Sequence, residues 1–189
     1  AVIVSTARTA IGKAFRGSFN MTHGATMGGA AAAIAIGRSG VEPGMIEDCI
    51  MGCGFPEGAT GSNIARQIAI RAGLPVTACG MTINRFCSSG LQALALAAHR
   101  ITEEGTPAVL AGGLESISLV QDAASQGAAR EPWLAEHKPE IYMAMIDTAD
   151  IVAERYEISR EAQDEYALGS QQKTEDAQAA GKFADEIIP

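Results

Sequence analysis

Residues 79–113, CGMTINRFCSSGLQALALAAHRITEEGTPAVLAGG, read as strand, helix and strand in close succession. Cys79–Asn84 is a short β-rich run. Ser88–Glu103 carries Leu91, Leu94, Ala95, Ala98 and Ile101 at helical spacing, which predicts one apolar face. Glu104-Gly105-Thr106-Pro107 stops the helix, and Ala108–Gly113 follows as the next strand. The alternation continues upstream. Asp48–Cys53 reads as a buried strand and Gly54–Gly61 as a Gly/Pro loop. Ser62 or Asn63 then caps a helix bearing Ile64, Ala65, Ile68, Ala69 and Ala72, which Gly73 and Pro75 end. Ala25–Arg38 is an Ala-rich helix closed by Ser39-Gly40, and Val2–Thr6 is a first strand. Strands and helices joined by short connections predict an α/β layered fold with a mostly parallel central sheet flanked by helices.

Downstream the pattern changes. Residues 115–147, with Trp133, Tyr142, Met143 and Met145, read as a loop region too long for an ordinary connection. Thr148–Tyr156 and Ser159–Gly181 read as helices, the second with Ser159 as N-cap and Glu161 and Asp164 in its first turn. The division expected is a core over 1–114, a loop region over 115–147 and closing helices over 148–189.

Composition narrows the function. The 189 residues are 47% hydrophobic and 19% charged, enough apolar material for a packed core. Aromatics are 5% against 21 glycines, so elements are expected to pack closely. The net charge of −8 disfavours nucleic acid as a partner. Residues 131–189 carry −9 and the first 130 carry +1, and the acidic excess reads as solvated helix faces. No apolar run is long enough to span a membrane. Cys49, Cys53, Cys79 and Cys87 lack CxxC or zinc spacing, so no metal is expected. Cys49 and Cys53 lie about 13 Å apart on an extended chain, too far to bridge. Reduced thiols in an intracellular protein, cytoplasmic or in an organellar matrix, are the expectation.

Two phosphate-binding patterns fail. Gly52-Cys53-Gly54-Phe55-Pro56-Glu57-Gly58 is one residue too long for a dinucleotide fingerprint, and Pro56 removes an N–H. Gly12-Lys13 lacks the upstream glycine and the Ser/Thr of a phosphate loop.

The informative site is Asn84-Arg85-Phe86-Cys87-Ser88-Ser89-Gly90-Leu91, where a strand gives way to a helix within about three residues. A helix N-terminus offers partial positive charge and N–H groups, which stabilise a thiolate and can donate to an oxyanion. The small Ser88, Ser89 and Gly90 leave the Cys87 sulfur approachable. Cys49, Cys53 and Cys79 lack that setting and read as core. A nucleophilic thiolate needs a base. His99 lies twelve residues along the helix, about 18 Å away. His23 and His137 sit in unremarkable surroundings and read as surface residues. A prepared nucleophile therefore stands without an evident base.

The segment 84–94, NRFCSSGLQAL, resembles the active-cysteine signature of thiolases, the acetyl-CoA acetyltransferases and 3-ketoacyl-CoA thiolases. Residues 4–12 (VSTARTAIG), 63–67 (NIARQ), 112–118 (GGLESIS), 147–150 (DTAD) and the helix from Ser159 are similar to further family segments, so the resemblance covers nearly the whole chain. It implies that Cys87 takes an acyl group from a CoA thioester and passes it on, by Claisen condensation or thiolytic cleavage of a 3-ketoacyl-CoA. The Cys87 N–H is implied in an oxyanion hole and Met145 in the acyl pocket. The 115–147 region is implied to cover the substrate. Coenzyme A is implied as substrate and product, with no permanently bound cofactor. A homodimer or homotetramer is implied as the assembly. Ile117 stands where the family segment has Met, Ile146 where Gly is frequent, and Ser88 where biosynthetic members commonly carry Gly. The family's catalytic His, in GHP, and second Cys, in CxG, belong to a second half, and neither motif occurs here. The expectation is the N-terminal half of a thiolase, inactive alone and completed by a C-terminal half. A ketoacyl synthase-type condensing enzyme and a non-catalytic dimerising module of the same fold are the alternatives.

Overall fold

A computed structural model describes residues 1–121 and 130–189. The described residues form two compact units, 1–121 with 185–189, and 130–184.

The first unit is built on three parallel strands, β1 (Ile46–Gly52), β2 (Cys79–Ile83) and β3 (Ala108–Gly113), in the order β2-β1-β3. Parallel neighbours need crossovers, and helices supply them. The helix α2 (Ile64–Arg71) lies between β1 and β2 in sequence, and α3 (Ser89–Glu104) between β2 and β3. An earlier helix, α1 (Gly24–Ser39), precedes the sheet. The central β1 is buried at every position except Glu47. On one face, Cys49 and Met51 pack with Ala32 of α1 and with Ile64, Ala65, Ile68 and Ala69 of α2. On the other, Ile50 packs with Ala93 and Ala97 of α3, flanked by Met81, Val109 and Ala111. The layers are thus helix, sheet and helix, as alternation predicts. The abundant glycine has its physical role here: a Cβ on Gly28 of α1 would overlap the Ile68 side chain of α2, which packs into the space that position 28 leaves open.

Four local expectations are corrected. Among the described residues Val2–Thr6 joins no ladder, and a bridge near it pairs Arg8 with Ile187. Its neighbouring groove, of about 530 Å³, separates residues 1–7 from β3. Leu91 is 71% exposed and Leu94 42% exposed, whereas Ala93 and Ala97 face the sheet. The close approach of α3 to β1 admits alanine and excludes leucine, so the larger residues turn outward. Asn63 does not cap α2 with its side chain. It donates instead to the Gly80 carbonyl (2.9 Å) and accepts from the Thr82 hydroxyl (2.9 Å), while Thr82 Oγ1 accepts from the Ala65 N–H at the helix start (3.1 Å). Cys79 is exposed, because it opens the edge strand β2.

The region 115–147 also holds more structure than a loop. It contains the short helices α4 (Ile117–Val120) and α5 (Pro132–His137) and a 3-10 turn, Pro139–Tyr142. Residues 122–129 of that expectation lie outside the described residues.

The second unit comprises α5, α6 (Met145–Arg155) and α7 (Arg160–Ala179). None of these helices has a fully buried residue. Local interactions dominate: the Glu131 carboxylate accepts from Trp133 and Leu134 N–H, and Ser159 accepts from Ala162 N–H as its N-cap position predicts. No helix among the described residues is long and apolar enough to cross a membrane.

Candidate active site

The three parallel strands end together, and each runs into a short segment at its carboxyl end. Strand β1 runs into Cys53-Gly54, β2 into Asn84-Arg85 and β3 into Leu114-Glu115. In open parallel sheets, ligands gather at that edge. Cys87 stands there, exposed, in a 3-10 turn (Phe86–Ser88) that leads directly into α3. Cys87 immediately precedes Ser88, the N-cap of the sixteen-residue α3, at the positive end of that helix.

That placement depends on close backbone approach. A Cβ on Gly52 would overlap the Ser89 carbonyl carbon, and one on Gly113 would sit 3.3 Å from the Gly90 Cα. Two strand ends therefore abut the first turn of α3 with only backbone between them. The turn itself is strained, since Phe86 adopts a left-handed conformation (φ 46°) that costs a non-glycine residue about 1–2 kcal/mol. Hydrogen bonds hold it. Asn84 Oδ1 accepts from Phe86 N–H (2.8 Å), and the buried Ser89 hydroxyl donates to the Phe86 carbonyl (2.6 Å) while accepting from Arg85 N–H (2.8 Å).

The other cysteines are chemically distinct. Burial, and then the neighbouring Asp48, pushes the Cys49 thiol up to about 12. Burial, and then the Glu115 carboxylate, pushes Cys53 up to about 11. Both stay protonated, as their core reading requires. All four cysteines are free. The buried Asp48 beside Cys49 is paired with Arg100 of α3 at 3.4 Å, an ion pair that ties the helix to the middle of β1.

The histidines take structural places. His23 Nδ1 accepts from Ala25 N–H and so caps α1 (3.1 Å). His99 is exposed on α3. His137 stacks on Trp133 with ring centroids 4.5 Å apart, in the second unit. Among the described residues, no hydrogen bond or ion pair given by the geometry joins a histidine to Cys87, and no cluster of His, Cys, Asp and Glu could hold a metal. Met145 opens α6 in the second unit and is 79% exposed, with Ile146 beside it also exposed. Sequence reasoning placed Ser89 beside Cys87 and Glu115 in a thiolase-like segment, but missed the hydrogen bonds both make and the link from Asn84 to Gly54. Their signal was positional, as polar or small residues just after parallel strands.

Over its whole length, residues 1–189, the chain matches the family model for the thiolase N-terminal domain. The chain belongs to the thiolase family. It is 45% identical over 191 residues to a 3-ketoacyl-CoA thiolase of Bacillus subtilis (strain 168), with all of this chain and 48% of that protein covered. It is 43% identical over 199 residues to an acetyl-CoA acetyltransferase of Cupriavidus necator and 39% identical over 198 residues to one of Rhizobium meliloti. Both alignments cover all of this chain and 50% of the relative. This thiolase chain spans about half the length of the curated relatives it matches. Two of the thiolase-like segments, those around Cys87 and Glu115, meet in space at the carboxyl edge of the sheet, and a third supplies the Asn63 contact to β2.

Proposed function

We propose that Cys87 is the nucleophile of an acyl transfer between CoA thioesters. The observation that carries this reading is an exposed thiol in the turn at the start of a sixteen-residue helix, with both other thiols near the sheet's centre buried. The Cys87 sulfur attacks the thioester carbonyl and forms a C–S bond. The electron pair of the breaking bond leaves with the sulfur of coenzyme A, which takes up a proton. A second thioester or free coenzyme A then removes the acyl group, giving condensation or thiolysis. The Cys87 N–H faces the developing oxyanion from the positive helix end. Coenzyme A is substrate and product rather than a resident cofactor. Met145 is assigned to the acyl pocket in this reading on the family resemblance alone. Four free cysteines support a reducing, cytoplasmic setting.

The base is supplied by the half of the family's length that this chain does not span, so these 189 residues alone do not turn over. One feature of the first unit supports completion by more polypeptide. The groove of about 530 Å³ has Val2, Ile3 and Val4, all strongly exposed, on one side and the outer edge of β3 on the other. An apolar slot between an extended segment and a strand edge that is unpaired among the described residues accepts a further strand, which would remove both edges at once. A second copy, giving the homodimer or homotetramer, uses surfaces that remain exposed, such as Leu91 and Leu94 of α3.

The test is mass spectrometry of the complete protein after incubation with acetyl-CoA. An acetyl group on the Cys87 peptide, absent in Cys87→Ala, is expected. No adduct would establish a non-catalytic module of the same fold.

A further inference from the structure

The turn that carries Cys87 is connected to a carboxylate far away in sequence. Phe86 N–H donates to Asn84 Oδ1 (2.8 Å), Asn84 Nδ2 donates to the Gly54 carbonyl (3.0 Å), and Gly54 N–H donates to Glu115 Oε2 (2.8 Å). All three donors point the same way along the chain of bonds, and the last acceptor is a carboxylate. Aligned hydrogen bonds polarise one another, and a charged terminal acceptor strengthens the nearest of them most. The Glu115 carboxylate is itself fixed from its other oxygen, toward which the buried Cys53 thiol points at 3.6 Å. Position 54 must be open for this arrangement. A Cβ there would lie 2.9 Å from Glu115 Oε2 and 3.6 Å from the Phe86 Cα. The chain of bonds ends on the residue whose left-handed backbone turns the strand into the helix, one position before Cys87.

We propose that Glu115 is a positioning residue for Cys87, acting through Gly54 and Asn84 to hold Phe86 in its left-handed conformation. This rests on Cys87 being the nucleophile. Glu115 touches neither Cys87 nor the acyl group in this account; it sets the backbone from which the sulfur and its N–H are presented. Without it, Phe86 relaxes toward an ordinary conformation and the backbone that presents Cys87 shifts.

The test uses the complete polypeptide with three substitutions. Glu115→Ala removes the acceptor. Glu115→Gln keeps a carbonyl oxygen for Gly54 N–H without the charge. Asn84→Asp keeps the acceptor for Phe86 N–H but sets an oxygen against the Gly54 carbonyl. In Glu115→Ala, kcat is expected to fall about tenfold, the effect of losing one charge-assisted hydrogen bond, with KM for the acyl-CoA within about twofold. Glu115→Gln is expected to recover to within about threefold of wild type, because one neutral acceptor still closes the chain of bonds. Equal loss in Glu115→Gln and Glu115→Ala would overturn positioning in favour of a direct charge effect. A second readout needs no turnover. Amide exchange in a peptide covering residues 84–88 is expected to rise at least about threefold in Glu115→Ala and Asn84→Asp, with exchange in β1 unchanged. Unchanged exchange at 84–88 in both variants would overturn the proposal, whether or not the wild type is acylated. Raised exchange in the two variants of a protein whose wild type accepts no acetyl group would uphold the coupling and overturn the nucleophile. Asn84→Asp leaves Glu115 in place, so the coupling is still read if Glu115→Ala fails to fold.

Discussion

The two units of this chain hold their helices by different means. In the first, α3 lies against β1 so closely that Gly52 meets the Ser89 backbone, and alanines rather than leucines face the sheet. In the second, α5, α6 and α7 contain no fully buried residue, and they depend on caps and on pairs such as Arg160–Asp164 within a turn. The lesson is that Cys87, the proposed nucleophile, sits in the part where backbone is pressed against backbone. Placing a thiol to within a fraction of an ångström needs that rigidity, and helices stabilised locally cannot provide it.

The comparison can be broken most severely at Gly52. Gly52→Ala is expected to cost about 3 kcal/mol or more, because its Cβ overlaps main-chain atoms that cannot rotate away. Denaturant unfolding followed at a first-unit probe checks it, and wild-type stability would show that α3 is not pressed against β1. The Asp48–Arg100 pair comes next. Arg100→Leu strands a buried carboxylate in the middle strand and is expected to cost about 2–3 kcal/mol, tempered by the partial exposure of Arg100. The loss should be recovered in large part by Asp48→Asn in the same protein, a double-mutant comparison that urea titration resolves.

A smaller effect is expected from alkali. Cys49 and Cys53 are raised in the fold to about 12 and about 11, above the ordinary value of 9.0. The folded state therefore keeps protons that the unfolded state releases, so stability is full below pH 9 and falls as pH rises from there toward 12. Cys49→Ala should flatten that slope in a series of denaturation midpoints, and an unchanged slope would place the sensitivity elsewhere. The smallest expected change lies in the second unit. Ser159→Ala removes the cap on α7 and should cost about 1 kcal/mol locally. Hydrogen exchange should rise in the first turns of α7 while β1 stays protected, and loss of protection in both would show that the two units unfold as one.

Much of this was legible in the sequence, and the boundary between legible and hidden is physical. Strand β3 was read to the residue, because Pro107 and the flanking glycines punctuate it. Ser159 was read as a cap because the side chain that makes the bond is adjacent to the helix it closes. Cys87 stood out because a strand, three small residues and a helix occur in immediate succession. The face of α3 was misread because apolar residues occur all round that helix, and only the nearness of the sheet selects the alanines. The Asn63 contact to β2 was hidden because its partners are 17 and 19 residues away. The contact of Glu115 with Gly54 was hidden for the same reason, with Gly54 lying 61 residues upstream.

The sequence by itself determined the alternating elements, the strand-to-helix junction that carries Cys87 and the family, since each is written in local spacing and in the runs of residues around Cys87. Only the tertiary structure decided which side of α3 is buried, that Val2–Thr6 borders a groove instead of joining the sheet, and that Glu115 reaches the Cys87 turn. Those outcomes depend on distances between segments far apart in the chain, and no local pattern contains a distance.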